Sequence, residues 1–494
     1  MDAKITAAMR SLADYLNRQE RVCILGLGRE GRCMLEVLLD LKRRGWFTAE
    51  LRLADRQPVE ETLAAELPSY SGDQYLRSAL GWARLLIKAP GVSLGSEPRQ
   101  PGNEQRLRDY PQLEVSCMMD LFFRFFADLI PTLGISGTKG KSTTTSLSYS
   151  LLRKAQPQTL LRGNIGVPVF EGWRDWTLET RLCIELSSHQ LEFCRRGPRW
   201  GALLNFYPEH LDHYASYEAY VGAKLNLLKG QTEGDFFLLN CCQTELYERA
   251  KGLLPQGYGL ICDVQNAESL SRAADLRGEA ALVLVLDTAT GLLRLEDAQG
   301  RLELEICPGD VNTGLRGPHL LLDVAVALGL SRAAGLDLEL VEAGLRDFCP
   351  LPHRCQFVAE KKGVAYYNDS ISTIPQTCLL ALEQLPQTRC LLIGGMDRGL
   401  DYSDLAEKLL AREGLELICL PDTGVYFASY FRERGAGGRI HEVPDMRRAV
   451  AEAAGLAQAG EVVLLSPAAS SYNCYRNFEA RGEAFLAAVA SLDG

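Results

Sequence analysis

PTLGISGTKGKSTTTSLSYSLLRKA (residues 131–155) is the stretch on which the fold turns. The apolar run at 132–136 reads as a buried strand, Gly137 and Gly140 as a tight turn, and the residues from Lys141 onward as a helix. A strand–turn–helix of this kind leaves backbone N–H groups and one ammonium, that of Lys141, around a phosphate chain, with the Ser142 hydroxyl in reach of Mg²⁺. The spacing departs from GxxxxGKS/T, since Ile135 stands five before Gly140, but the GKS core is kept. An exposed loop rich in lysine and serine is the competing reading, and the flanking strand and helix favour triphosphate binding.

Working outward, short apolar runs alternate with helical patterns along the whole chain, the signature of parallel sheets covered by helices, so the fold class is α/β. RVCILGLG (21–28) opens a first βαβ unit that closes at Asp55, and LLRLEDAQGRLELEI (292–306) reads as a hairpin turning at AQG. The last third repeats the alternation. At roughly 150 residues per domain, a chain of 494 residues holds three, and the pattern sets their limits at 1–112, 113–350 and 351–494.

Lys plus Arg number 53 against 63 Asp plus Glu, a net charge of −10, which disfavours a broad nucleic-acid or anionic-membrane surface. The fifteen cysteines stand mostly singly inside apolar runs and form no CxxC, as small hydrophobes do in a reducing compartment. The start carries charges throughout, and no apolar run spans a bilayer. A cytoplasmic protein without membrane insertion is expected.

Further residues stand where chemistry is done. In GLGREG, Gly26, Gly28 and Gly31 let a diphosphate approach a helix N-terminus, and Asp55 ends the next strand within reach of a ribose or base; plain packing explains the same glycines equally well. Glu185 ends the strand in RLCIELSSHQ with Ser187 and Ser188 beyond it, and His210 in NFYPEHLDHY has Glu209, Asp212 and His213 beside it, a set suited to a hard metal ion. A capping carboxylate and a hydrogen-bonded loop histidine are the plainer readings. Lys224, in YVGAKLNLL, reads alone as an exposed helical lysine. In the last third Arg354, Asp369, Ser370, Arg398, Ser471 and Phe478 put two arginines, a carboxylate and hydroxyls on the rim of one domain, which suits a small anionic substrate and a phosphate.

Taken in order, these segments resemble the Mur ligases, the ATP-dependent amino-acid-adding enzymes of peptidoglycan synthesis, and among them the glutamate-adding branch. GTKGKST is similar to that family's GTNGKST with Lys139 for Asn; GNIGVP, IELSSHQLE, EHLDHY followed by AKL, LPHR, NDS, GGMDRG and SPAASS with RNFEARG complete the series. The resemblance implies a Rossmann-like N-terminal domain for UDP-N-acetylmuramoyl-L-alanine, a central P-loop-type ATPase domain and a C-terminal dinucleotide-fold domain for glutamate. The UDP-linked substrate would meet Gly26, Leu27, Gly28, Arg29, Asp55, Arg56, Asn164, Ser187, His189 and Gln190. ATP would meet Gly137, Thr138, Lys139, Gly140, Lys141, Ser142, Thr143, Arg354 and Asp369, with two Mg²⁺ ions served by Ser142, Glu185, His210 and Lys224 as a carbamate. Lys141, Glu185, His210 and Lys224 would form the catalytic set, and Thr373, Arg398, Ser471 and Phe478 would hold glutamate. A carboxylate would attack the γ-phosphate, and glutamate's amine would then displace phosphate from the acyl phosphate.

Two departures stand out. An HN-x-x-N helix start near the adenine is replaced by HLLLD (319–323), and the NDSKATN of D-glutamate-adding members by NDSISTIP, with Ile371 where a lysine would pair with the acceptor's carboxylate. NDSISTIP is similar to the branch that adds L-glutamate and leaves inversion to a separate epimerase, so L-glutamate is the expected acceptor and D-glutamate the alternative. A folylpolyglutamate-type ligase and a silent nucleotide-binding scaffold are the remaining readings.

Overall fold

The computed structural model describes residues 2–94, 107, 109–210, 213–315, 318–349 and 352–492. Among these residues the strands lie in three sheets of five, nine and six. The chain packs as two compact units, 1–348 and 349–494.

The first sheet runs Ser69–Tyr70, Glu50–Ala54, Arg21–Leu25, Leu85–Lys88, Glu114–Ser116 in spatial order, all parallel. Val22, Cys23, Ile24 and Leu25 are wholly buried, the continuous apolar run that a strand covered on both faces requires. Helix Ala3–Arg18 starts where the Asp2 carboxylate accepts from the Lys4 N–H at 2.8 Å, and it buries Ile5, Met9, Leu12 and Leu16 along one face.

The expected limit at residue 112 needs correction. Glu114–Ser116 pairs with Leu85–Ile87 and so completes the first sheet. Nor does packing stop there: on helix Met118–Phe126, Phe122 and Phe126 meet Phe170 and Trp176 edge-on, with ring centroids 5.5–6.0 Å apart. Each such buried ring stabilises by about 2–3 kcal/mol, and one hydrophobic core runs from Ile5 to Val283. The first sheet thus extends to Ser116, and it and the second sheet both lie within the unit 1–348.

The second sheet runs Leu302–Ile306, Leu292–Asp297, Leu282–Asp287, Gly257–Asp263, Phe236–Asn240, Trp200–Leu203, Thr132–Ser136, Arg181–Glu185, Thr159–Gly163. Pairing is parallel except where Leu292–Asp297 runs antiparallel to both Leu282–Asp287 and Leu302–Ile306, the latter pair forming the hairpin that turns at AQG as the sequence suggests. From Thr132–Ser136 the chain builds two strands on one side and then crosses to Trp200–Leu203 on the other. That reversal opens a crevice at the carboxyl end of Thr132–Ser136, where open α/β sheets take their ligands, and the Gly137–Lys141 turn occupies it.

In the second unit Gln356–Lys361, Val364–Asn368, Val462–Leu465, Thr388–Gly395, Glu416–Asp422 and Ile440–Glu442 form the six-stranded sheet, with only the first strand antiparallel. The loops after Val364–Asn368, Thr388–Gly395 and Val462–Leu465 carry the NDS, GGMDRG and SPAASS segments at one end of this sheet. All fifteen cysteines are free thiols. Among the described residues no helix is long and apolar enough to cross a membrane.

Candidate functional site

The phosphate turn is held from below. Gly137 and Gly140 have φ of 148° and 85°, and a Cβ at Gly140 would lie 2.6 Å from Asp323 Oδ1. Asn205 accepts through Oδ1 from the N–H groups of Thr138 at 3.1 Å and Lys139 at 2.8 Å, and Thr144 Oγ1 donates to Asp323 Oδ1 at 2.8 Å. Helix Lys141–Ala155 begins without a side-chain cap and without an acidic residue in its first turn, so its leading N–H groups and its dipole favour an anion. Lys141 Nζ donates to the Thr138 carbonyl at 2.7 Å, folded back over the turn.

Glu185, at the end of the adjoining strand, is 1% exposed. Its Oε1 accepts from Asn164 Nδ2 at 2.9 Å, whereas Oε2 is buried without a hydrogen-bond partner, as are the hydroxyls of Ser136 and Ser188. An orphaned buried carboxylate oxygen is costly unless a cation reaches it.

Lys224 is buried, not the exposed helical lysine of the plain sequence reading. Its Nζ donates to the Gly137 carbonyl at 2.6 Å and lies 4.8 Å from the centre of the Tyr220 ring. Burial, joined by the charges of Lys141 and Lys139, pushes its ammonium far below the usual lysine range against the opposing pull of Glu209 and Glu185. Lys139 Nζ meets Glu209 Oε1 at 2.6 Å. Burial opposes Glu209's charge, but Lys139 and then Lys141 outweigh it and hold the carboxyl below the ordinary range. His210, at φ 57°, sets Nε2 3.7 Å from Glu209 Oε2 and its ring 4.7 Å from that of His189. Burial, with His213, His210 and Lys88 nearby, pushes His189 down to about 3.

The expected nucleotide and metal residues Lys139, Lys141, Glu185, His210 and Lys224 therefore gather around one turn. Among the described residues no three His, Cys, Asp or Glu side chains form a ready cage. Asp212 lies outside the described residues.

The first sheet treats its expected residues differently. Gly26 and Gly31 are packing glycines: a Cβ at Gly31 would stand 1.9 Å from the Gly26 carbonyl oxygen, whereas Gly28 faces open space. Asp55 braces the turn, accepting from Leu27 N at 2.6 Å and Gln57 N at 2.9 Å. Arg29 reaches the Gly166 carbonyl, and Glu30 accepts from Gln190; burial pushes Glu30 up to about 7. Ser187 and Gln190 close a capping box on helix Ser188–Leu191, and Arg56 is exposed.

In the second unit Asp369 accepts from Cys355 N at 3.1 Å and Ser466 Oγ at 2.8 Å, and burial raises it to about 6. Ser370 Oγ donates to the Phe478 carbonyl at 2.8 Å, and Ser471 is buried. Thr373 is half-buried, while Arg354 and Arg398 are exposed. Ile371 donates its N–H to the His353 carbonyl at 3.1 Å.

Sequence reasoning passed over Asn205, Asp323 and Tyr220, whose hydroxyl lies 2.8 Å from Thr138 Oγ1. The HLLLD departure ends in a residue that anchors the phosphate turn. Asn205 stood in the already quoted NFYPEH segment, where its strand-end position was a signal.

Fold and site together define an α/β protein with a lysine-bearing phosphate turn at the switch point of a parallel sheet and a buried carboxylate and lysine beside it. Residues 135–259 match the Mur ligase middle domain, and residues 353–469 the Mur ligase, glutamate ligase domain. The chain is 30% identical over 481 residues to a UDP-N-acetylmuramoylalanine–D-glutamate ligase of Geotalea uraniireducens, covering 97% of this chain and 99% of that one. It is 31% identical over 485 residues to the protein of the same name from Symbiobacterium thermophilum, covering 96% and 98%. Among solved structures, MurF ligase from Thermotoga maritima in complex with ADP superposes with a TM-score of 0.53 at 16% identity over 95% of each chain. UDP-N-acetylmuramate-alanine ligase MurC from Thermotoga maritima superposes at 0.50 and 16%, over 95% of this chain and 99% of that one. The chain belongs to the Mur ligase family.

Proposed function

We propose that this chain is an ATP-dependent ligase that adds glutamate to UDP-N-acetylmuramoyl-L-alanine in peptidoglycan precursor synthesis, in the cytoplasm. The observation that carries the reading is the buried, unpartnered Oε2 of Glu185 beside the Lys141 turn and a lysine whose proton burial disfavours. The first sheet, through residue 116, is the seat proposed for the UDP part, the second sheet for ATP, and residues 349–494 for glutamate. The match of residues 353–469 to the glutamate ligase domain supports the last of these placements, and the relatives' names support the pair of substrates.

In this mechanism the substrate's carboxylate oxygen attacks the γ-phosphorus of ATP, forming an O–P bond while the bond to the β,γ-bridging oxygen breaks and ADP leaves with the electron pair. Two anions must meet, and Lys141, Lys139 and the first-turn N–H groups of helix Lys141–Ala155 offset their repulsion. Glu185 Oε2, His210 and Ser142 are the side chains proposed to hold Mg²⁺, which when bound supplies charge neutralisation along the phosphates. Lys224, favoured as a neutral amine, is suited to attack CO₂ through Nζ and lose a proton, leaving a carbamate anion. Glutamate's amine then attacks the acyl-phosphate carbon; the C–N bond forms, phosphate leaves, and the nitrogen sheds a proton.

The names of the relatives support D-glutamate as the acceptor. A second reading, L-glutamate followed by a separate epimerase, is favoured by Ile371, which cannot pair with a carboxylate as the lysine of D-glutamate-adding members does. Phosphate release with UDP-N-acetylmuramoyl-L-alanine and each enantiomer in parallel decides between them. Release with neither enantiomer rejects the ligase itself.

A further inference from the structure

Helix Phe478–Ala490 carries Arg481 in its first turn, and that guanidinium is 1% exposed. Nε donates to Ser370 Oγ at 3.0 Å, Nη2 to the Ser370 carbonyl at 2.9 Å, and Nη1 to the Ala469 carbonyl at 2.9 Å. Every one of these acceptors is a hydroxyl or main-chain oxygen. The carboxylate that acts on the charge, Asp369, accepts instead from Cys355 and Ser466. Burying a guanidinium without a paired carboxylate costs several kcal/mol, so a position that keeps one is keeping its geometry or its charge for some use.

The geometry joins three strand ends. Ser370 lies just beyond strand Val364–Asn368 and Ala469 just beyond Val462–Leu465, while Gly395 ends Thr388–Gly395. A Cβ on Gly395 would stand 2.9 Å from Arg481 Nη1, so the bare backbone there makes room for the guanidinium. Arg481 also lines a cavity of about 230 Å³ together with Gly394, Gly395, Asn473 and Tyr475. Thr373 and Ser471 follow shortly after the two segments that it clamps.

We propose that Arg481 is a positioning residue for the acceptor amino acid, clamping the loops at Ser370 and Ala469 so that Thr373 and Ser471 are set for the acceptor's carboxylates. The inference rests on the glutamate-ligase reading above. The guanidinium fork makes three directed bonds that a lysine of equal charge cannot copy, so Arg481→Lys separates geometry from charge. Ser370→Ala removes only the hydroxyl link between the fork and the Phe478 carbonyl.

In the full-length enzyme, the KM for glutamate, ATP and UDP-N-acetylmuramoyl-L-alanine is measured separately for each variant, with thermal midpoints alongside. Arg481→Lys is expected to raise the KM for glutamate about tenfold or more while the other two stay within about twofold, and Ser370→Ala to shift it less in the same direction. An unchanged KM for glutamate in a folded Arg481→Lys protein overturns the proposal. So does a rise in all three constants together with a lowered midpoint, which marks a purely structural arginine. Should Arg481→Lys fail to fold, Ser370→Ala decides alone by the same criteria. Glutamate-dependent phosphate release by the unaltered chain keeps the ligase reading standing in each of these cases; its absence overturns that reading and the clamp with it.

Discussion

Lys224 shows how burial makes chemistry at a single side chain. An amine held against the Gly137 carbonyl, with two other lysines acting on it, is a poor place for a proton and a good one for a carbonyl electrophile. If Lys224 carries the proposed carbamate, Lys224→Ala is expected to lower turnover at least about a hundredfold and to recover partly with added acetate or formate, whose carboxylate would stand in for it; activity near that of the unaltered enzyme would reject this. Glu185→Gln should raise the Mg²⁺ concentration for half-maximal turnover by about ten- to a hundredfold, read from a Mg²⁺ titration. Asp369 gives a pH signature. Burial raises its folded pKa to about 6, above the value of 3.8 it has in the open chain, so its contribution is full below pH 4 and is lost as pH rises through 6. Chemical denaturation should therefore show up to about 3 kcal/mol of stability draining away across that window, and Asp369→Asn should flatten the profile. What the sequence disclosed at this scale were residues whose type announces chemistry at a strand end, such as Lys141 and Glu185. Asp323 and Arg481 stayed hidden, because each acts on a partner 111 or more positions away and nothing local marks the pairing; Asn205 stood visibly at a strand end, but its pairing with Thr138 did not show.

Among the elements, the strand–turn–helix at 132–155 was legible because glycine spacing and an apolar run are local signals, as were the 292–306 hairpin and the βαβ start at Arg21. The purpose of helix Pro318–Ala333 was not. Read alone, HLLLD lacks two amides; in the fold its aspartate sits under the phosphate turn, tied to Thr144. Asp323→Ala should cost about 1 kcal/mol through loss of the Thr144–Asp323 hydrogen bond, the hydroxyl keeping the Gly140 carbonyl as an acceptor at 3.0 Å, and should weaken ATP binding, measured by nucleotide titration of the apoenzyme. Gly140→Ala should be harsher for the nucleotide, since a methyl group at φ 85° also collides with that carboxylate; unchanged affinity would mean that the turn tolerates a different backbone.

For the whole molecule, the alternation of strands and helices yielded the α/β class and an expectation of parallel sheets, but the packing between the sheets lay beyond it. Periodicity tells which residues are inside, not which neighbouring sheet covers them, so a boundary at residue 112 separated strand Glu114–Ser116 from its own sheet and divided a shared core. The second unit has apolar clusters of its own on both faces of its sheet, and residues 349–494 expressed alone should melt in one cooperative transition followed by circular dichroism. The first unit should not divide in the same way. With Phe122 and Phe126 wedged against Phe170 and Trp176, its two sheets are soldered into a single lever. Were a UDP-sugar to settle on the first sheet and a nucleotide on the second, as proposed, both would sit on sheets that share one core, so an inhibitor prising at the aromatic weld would be expected to disturb both ends at once.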